Sequence, residues 1–135
     1  MPPEFKHPQL ALPDGTTVYQ AVSGERAMLQ PQQKGDKRII SRTLESVSNL
    51  DGVSNTVLLV ETPAEAAVIW TQPSDFELDQ AGLVERLRGV WKGRIVLGMG
   101  DGAVRVISSD IDEDQMRSLM TVDDGAAVNW ESLEK

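Results

Sequence analysis

From Asn55 to Glu61 the chain reads Asn-Thr-Val-Leu-Leu-Val-Glu, an apolar run bounded by turn residues. Such a run predicts a central strand buried on both faces. A second apolar pattern occupies residues 94–108. Arg94-Ile95-Val96-Leu97-Gly98-Met99 leads into Gly100-Asp101-Gly102, and Ala103-Val104-Arg105-Val106-Ile107-Ser108 leads out. Asp101-Gly102 between two apolar runs predicts a β-hairpin, with positive φ at both central residues of a primed turn. Ile95, Leu97 and Met99 share one face, and Val104 and Val106 are expected to meet them across the hairpin.

Helical spacing appears elsewhere. Ile40, Leu44, Val47 and Leu50 predict a stripe over 39–50, ended by Asp51-Gly52. Leu83, Val84 and Leu87 predict a short helix stopping at Gly89. Asp112 with Gln115 three residues on forms a capping-box-like pair, and Glu113 and Asp114 suit the first turn of a helix. Met116, Leu119 and Met120 are its buried stripe, and Asp124-Gly125 ends it. Thr16–Val22 reads as a short strand. Residues 24–37 read as a mobile polar loop, and Trp70–Ala81 as loop or a single helical turn. Val128 and Trp130 read as a last edge strand. Pro2, Pro3, Pro8 and Pro13 make residues 1–16 an extended lead-in, because proline donates to no ladder. The expected organisation is a lead-in over 1–16, one globular domain over 17–130 and a tail over 131–135. Its fold class is α+β: an antiparallel sheet with a C-terminal hairpin and short helices.

Composition narrows the function. The 135 residues carry a net charge of -8, which excludes nucleic acid as a partner, since phosphate binding needs a basic face. There is no cysteine, so thiolate chemistry is excluded. Aromatic content is 4%, so aliphatic side chains must build the core. No apolar run is long enough to span a membrane.

The candidate chemistry is thin. Asp110-Ile111-Asp112-Glu113-Asp114 opens like an EF-hand loop, but Gln115 and Thr121 stand where the turn glycine and the bidentate glutamate belong, so calcium has no motif behind it. His7, the single histidine, reads as an incidental surface residue of the lead-in. Gly98-Met99-Gly100-Asp101-Gly102 runs strand to strand, unlike a phosphate loop. No catalytic residue, cofactor site or metal site is expected. Trp70 and Trp91 are a candidate ligand patch.

Four segments in order carry a family resemblance. Asp51-Gly52-Val53-Ser54-Asn55-Thr56, continuing to Glu61, resembles the DGTSNT…VxE signature of a planctomycete-type family, domain of unknown function 1559. Ala67–Asp75 is similar to its PWTKPED segment. Gly98–Ile107, with Asp101, Gly102 and Arg105, resembles its ADGSVRFI motif, and Ile111–Leu119 its following ID…LRAL stretch. The likeness covers roughly residues 39–125. It implies a pilin-like, type II secretion pseudopilin-like globular domain, which normally follows a prepilin leader and a hydrophobic helix. The start Met1-Pro2-Pro3-Glu4 reads as the edge of a longer protein, with membrane attachment only through that missing N-terminal helix. The implied role is structural and non-catalytic, among protein subunits of a pilin-like assembly in the cell envelope, on the periplasmic or extracellular side. A ligand- or metal-binding module on the same scaffold is the alternative. One departure stands out. The family usually places a histidine ten residues before the Asp-Gly pair, where this chain has Trp91, while Gly93 keeps the nearby glycine.

Overall fold

The computed structural model describes residues 1–30, 42–72 and 74–135. The expected helix start at Ile39 and Ile40, and the loop from Pro31 to Lys37, lie outside them. The elements run β1 (Thr16–Thr17), β2 (Tyr19–Ser23), α1 (Leu44–Ser48), β3 (Val57–Glu61), β4 (Val68–Ile69), β5 (Phe76–Glu77), α2 (Leu83–Leu87), β6 (Arg94–Met99), β7 (Val104–Ser108), α3 (Glu113–Met120) and α4 (Trp130–Leu133). The fold is α+β. A five-stranded sheet has the order β5-β2-β3-β6-β7, and β1 pairs with β4 in a separate ribbon. All pairings are antiparallel except β2–β5.

β3 sits in the middle of the sheet, as its apolar run predicts. Val57 and Val60 are buried on the inner face and Leu59 is exposed on the outer one, while Glu61 at the strand's end is buried again, so the outer face is covered only at that end. In β6, Ile95, Leu97 and Met99 all point into the core. Their partners across the hairpin are not Val104 and Val106. Ile95 pairs with Ile107, while Val104 sits opposite Gly98 and Val106 opposite Val96, both on the outer face. Val104 is 71% exposed. The turn explains the correction. Only Gly102 has positive φ, at +87°, and Asp101 does not. Gly102 N donates to Met99 O and Met99 N to Ala103 O, so the loop carries an extra residue instead of a two-residue primed turn. That extra residue shifts which side chains of β7 face inward.

α2 and α3 pack together beneath the sheet. Asp112 caps α3 by accepting from Gln115 N at 2.8 Å, and Met116, Leu119 and Met120 are buried as expected. α2 is capped from outside. Its N-cap is Gly82, which has no side chain to offer, and the Glu113 carboxylate accepts from Leu83 N at 2.8 Å and Val84 N at 3.2 Å. Burial alone would raise the Glu113 pKa, but these backbone donors and Arg117 outweigh it and hold the carboxyl below its usual range.

Further expectations change. In α1 only Val47 is buried, because one short turn presents one side chain inward, and Leu44 is exposed. Residues 24–30 are not a loose loop. Ala27 and Met28 are buried, and Gly24 N bonds Leu29 O at 3.0 Å. Within 70–81 the chain forms β5, anchored by the buried Phe76. The C-terminal segment is helix α4 rather than a strand, with Asn129 as its N-cap. Val128, Trp130 and Leu133 pack on the main core, so the tail belongs to the domain. The lead-in belongs to it as well. Pro3–Phe5 forms a turn of 3-10 helix, and Thr17 Oγ1 donates to Phe5 O at 3.0 Å. No helix among the described residues is long and apolar enough to cross a membrane.

Leu97 is fully buried at the centre of the sheet. Leu97→Ala should destabilise the domain by about 3 kcal/mol in urea unfolding, and Val104→Ala by less than about 0.5 kcal/mol.

Candidate functional site

Of the residues singled out by the resemblance, Asp51, Gly52, Asn55 and Thr56 gather at a crossing point, while Gly93, Asp101, Gly102 and Arg105 are spread along the hairpin. Beyond the end of α1, Gly52 has a φ of +90°, and its N–H returns to Val47 O at 3.1 Å. Asp51 reaches across to the C-terminal segment, where its carboxylate accepts from Asp124 N at 2.9 Å and Gly125 N at 3.0 Å. Asn55 donates to Asp51 O and accepts from Trp130 Nε1 at 3.1 Å. Thr56 is fully buried. Its hydroxyl donates to Gly52 O at 2.9 Å, and its carbonyl accepts from Gly100 N at 2.9 Å. Gly100 is there because nothing larger fits. A Cβ would stand 2.9 Å from Val53 O and 2.7 Å from Met28 Sδ. Asp101 Oδ1 accepts from Ala103 N at the hairpin tip, and Gly93, at φ +70°, accepts from Ser109 N at its base. Arg105 lies 4.5 Å over the Trp130 ring and 2.8 Å from Glu134 Oε1, which ties α4 to β7. Hydrogen bonds within the scaffold therefore engage this set of side chains.

Glu61, at the end of β3, is the exception in kind: a carboxylate only 6% exposed. Trp91 Nε1 donates to its Oε2 at 2.5 Å. On the other side stands His7, buried rather than on the surface, with Nε2 2.7 Å from Glu61 Oε1. That contact is close but off the axis of a straight hydrogen bond. Nδ1 of His7 accepts two backbone N–H groups, from Gln9 at 3.1 Å and Leu10 at 2.9 Å. Those donors need a lone pair, so the network assigns the ring proton to Nε2, facing the carboxylate. His7 was missed because its burial comes from a chain segment folding back onto the sheet. The following Pro8, which bends residues 9 and 10 toward the ring, was the available signal. Tyr19 packs near this group, 6.3 Å from the His7 ring. Burial, then the Glu61 charge, pushes its phenol pKa up.

The two tryptophans of the candidate patch are each engaged by the N-terminal segment. Trp70 tilts against Phe5 at 5.8 Å and Trp91 against His7 at 5.6 Å. Among the described residues no three acidic or histidine side chains converge as a metal-binding group. An open cleft of about 310 Å³ lies at the end of the sheet, lined by Gln20 of β2, Thr62–Pro63, Glu65–Ala66, Phe76 of β5 and Glu85–Arg86 of α2. Sequence reasoning assigned none of these side chains a role, because they come from four separated stretches. No family model, no curated protein and no solved structure matches the chain.

Trp91→Phe keeps a ring on His7 but leaves the buried carboxylate short of a donor. It should cost about 1–3 kcal/mol in urea unfolding at pH 7. The raised Tyr19 pKa has its own signature. Its contribution is fully present below pH 10 and is lost as pH rises through the folded-state value. A stability curve above pH 10 should fall less steeply for Tyr19→Phe than for the parent chain.

Proposed function

We propose that the chain is the globular domain of a pilin-like, pseudopilin-like envelope protein, with a structural and non-catalytic role as a subunit of a filament or secretion apparatus. The observation that carries the reading is how the residues of the resemblance are used. Asp51, Gly52, Asn55 and Thr56 join the end of α1, the hairpin turn and the C-terminal segment. Residues spent in this way serve a rigid scaffold, as a subunit requires. On this reading the domain stands on the periplasmic or extracellular side, and its partners are other protein subunits of the assembly. A ligand-binding module on the same scaffold is the second reading, and the cleft beside Gln20 favours it.

Cell fractionation and chemical crosslinking of the protein in its native host test the first reading. The expected result is an envelope-associated protein that crosslinks into a ladder with itself or with other pilin-like subunits. A monomer confined to the cytoplasmic fraction would overturn it.

A further inference from the structure

We propose that the open edge of β7 takes up an extended segment of a partner protein, apolar at alternate positions and basic at both ends, as a further strand of the sheet. β7 is the last strand in the order β5-β2-β3-β6-β7, so β6 covers only one of its sides. The phase of the hairpin ladder shows what faces the other side. Met99 N donates to Ala103 O, Ser109 N donates to Gly93 O, and the register between them is regular. Ala103, Arg105, Ile107 and Ser109 are therefore the residues that bond β6, and Val104, Val106 and Ser108 aim their backbone groups away from it. Ser108 O accepts from Ile111 N at 3.4 Å. The N–H and C=O of Val104 and Val106, and the N–H of Ser108, have no partner among the described residues.

Folded proteins normally blunt such an edge with short strands, charges or proline. The opposite edge, β5, is two residues long and exposes Glu77. β7 has five residues and no proline, and its outer face carries Val104, 71% exposed, and Val106, 44% exposed. Its one charged side chain, Arg105, pairs across the hairpin with the inward-facing Leu97 and is held by Glu134 and the Trp130 ring, so it does not guard the edge. The apolar surface continues into the sheet. Gly98 pairs with both Val104 and Leu59, and the exposed Leu59 side chain fills the space beside the glycine.

Size and charge decide the occupant. Leu59, Val104 and Val106 fall well short of the about 800 Å² per partner that a stable contact between folded proteins buries. Strand addition needs less area, because main-chain hydrogen bonds supply the affinity and alternate side chains the specificity. The turns at the two ends of β7 carry Asp101 and Asp110, both exposed and in no ion pair among the described residues. The neighbouring cations are engaged: Arg88 by Glu85 and Ser109 O, Arg94 by Glu134 O, and Arg105 by the Glu134 carboxylate. A second copy would bring its own aspartates and another net charge of -8 to this edge. Lysine or arginine at each end of the incoming strand meets that charge instead.

The inference goes beyond the pilin-like reading and does not depend on it, because binding is read on the chain alone. The test is an NMR titration of the isotope-labelled chain with the peptide acetyl-Lys-Val-Thr-Val-Thr-Val-Lys-amide. The expected result is a saturable shift of the Val104 and Val106 amides with slowed hydrogen exchange at both. In an added strand the valines share the outer face with Val104 and Val106, and their N–H groups point at β7. N-methylation of the three valines should therefore abolish binding, while N-methylation of the two threonines should spare it. Glutamate in place of both lysines should weaken binding about tenfold at low ionic strength. Val106→Pro removes an outward N–H and none that bonds β6, and should weaken binding about tenfold. Val104→Lys changes only an exposed side chain, keeps the fold, and should weaken binding by a similar factor. No saturable shift, equal binding of the valine-methylated peptide, equal binding of the glutamate peptide, or unchanged affinity in Val104→Lys would overturn the proposal. Concentration-dependent self-association that protects the same two amides without peptide would overturn the choice of occupant in favour of a second copy.

Discussion

β3 and β6 share one inner face, built from Val57, Val60, Ile95, Leu97 and Met99, and each of these side chains is almost fully buried. Water must be kept off that face, and the sheet cannot do it alone. α2 and α3 supply the cover through Leu83, Leu87, Met116, Leu119 and Met120. Burying side chains of this size is worth roughly 1.5–3 kcal/mol each before the entropy of ordering the chain is subtracted. The two helices are too short to persist by themselves, so their stability comes from this packing and from their caps. Glu113 is the joint between them. It starts α3 and caps α2, so the two helices dock as a pair.

The loop from Asp51 to Thr56 holds the periphery to that core. Its bonds reach residues up to 75 positions away, as between Asn55 and Trp130. Such closures are entropically expensive to form and are held only because their polar groups are matched inside the fold. Gly100 shows how tight the crossing is, since a single added carbon would strike the Val53 carbonyl. This density of matched groups is the physical content behind the scaffold reading.

Glu61 poses the opposite problem, a charge that burial disfavours. Here the indole N–H takes one carboxylate oxygen, and an imidazole arrives from a different part of the chain, His7, to face the other. The N-terminal segment is consequently part of the domain. It also touches Trp70 and Trp91, each through one aromatic contact.

Local pattern was enough for several elements. The run at Val57–Glu61, the capping pair Asp112 and Gln115, the stripe on α3 and the two arms of the hairpin depend on interactions within a few residues, so periodicity and turn chemistry expose them. The α+β class follows from those elements together. Tertiary structure alone decided the rest. The face of β7 depended on one extra residue in the turn, α4 on packing of Val128, Trp130 and Leu133 against the core, and the place of His7 on a carboxylate 54 positions away. Gln20 and the cleft were invisible for the same reason. A sequence displays the neighbours a side chain has along the chain, whereas burial and hydrogen-bond partners are set by segments that meet only when the whole apolar face is covered.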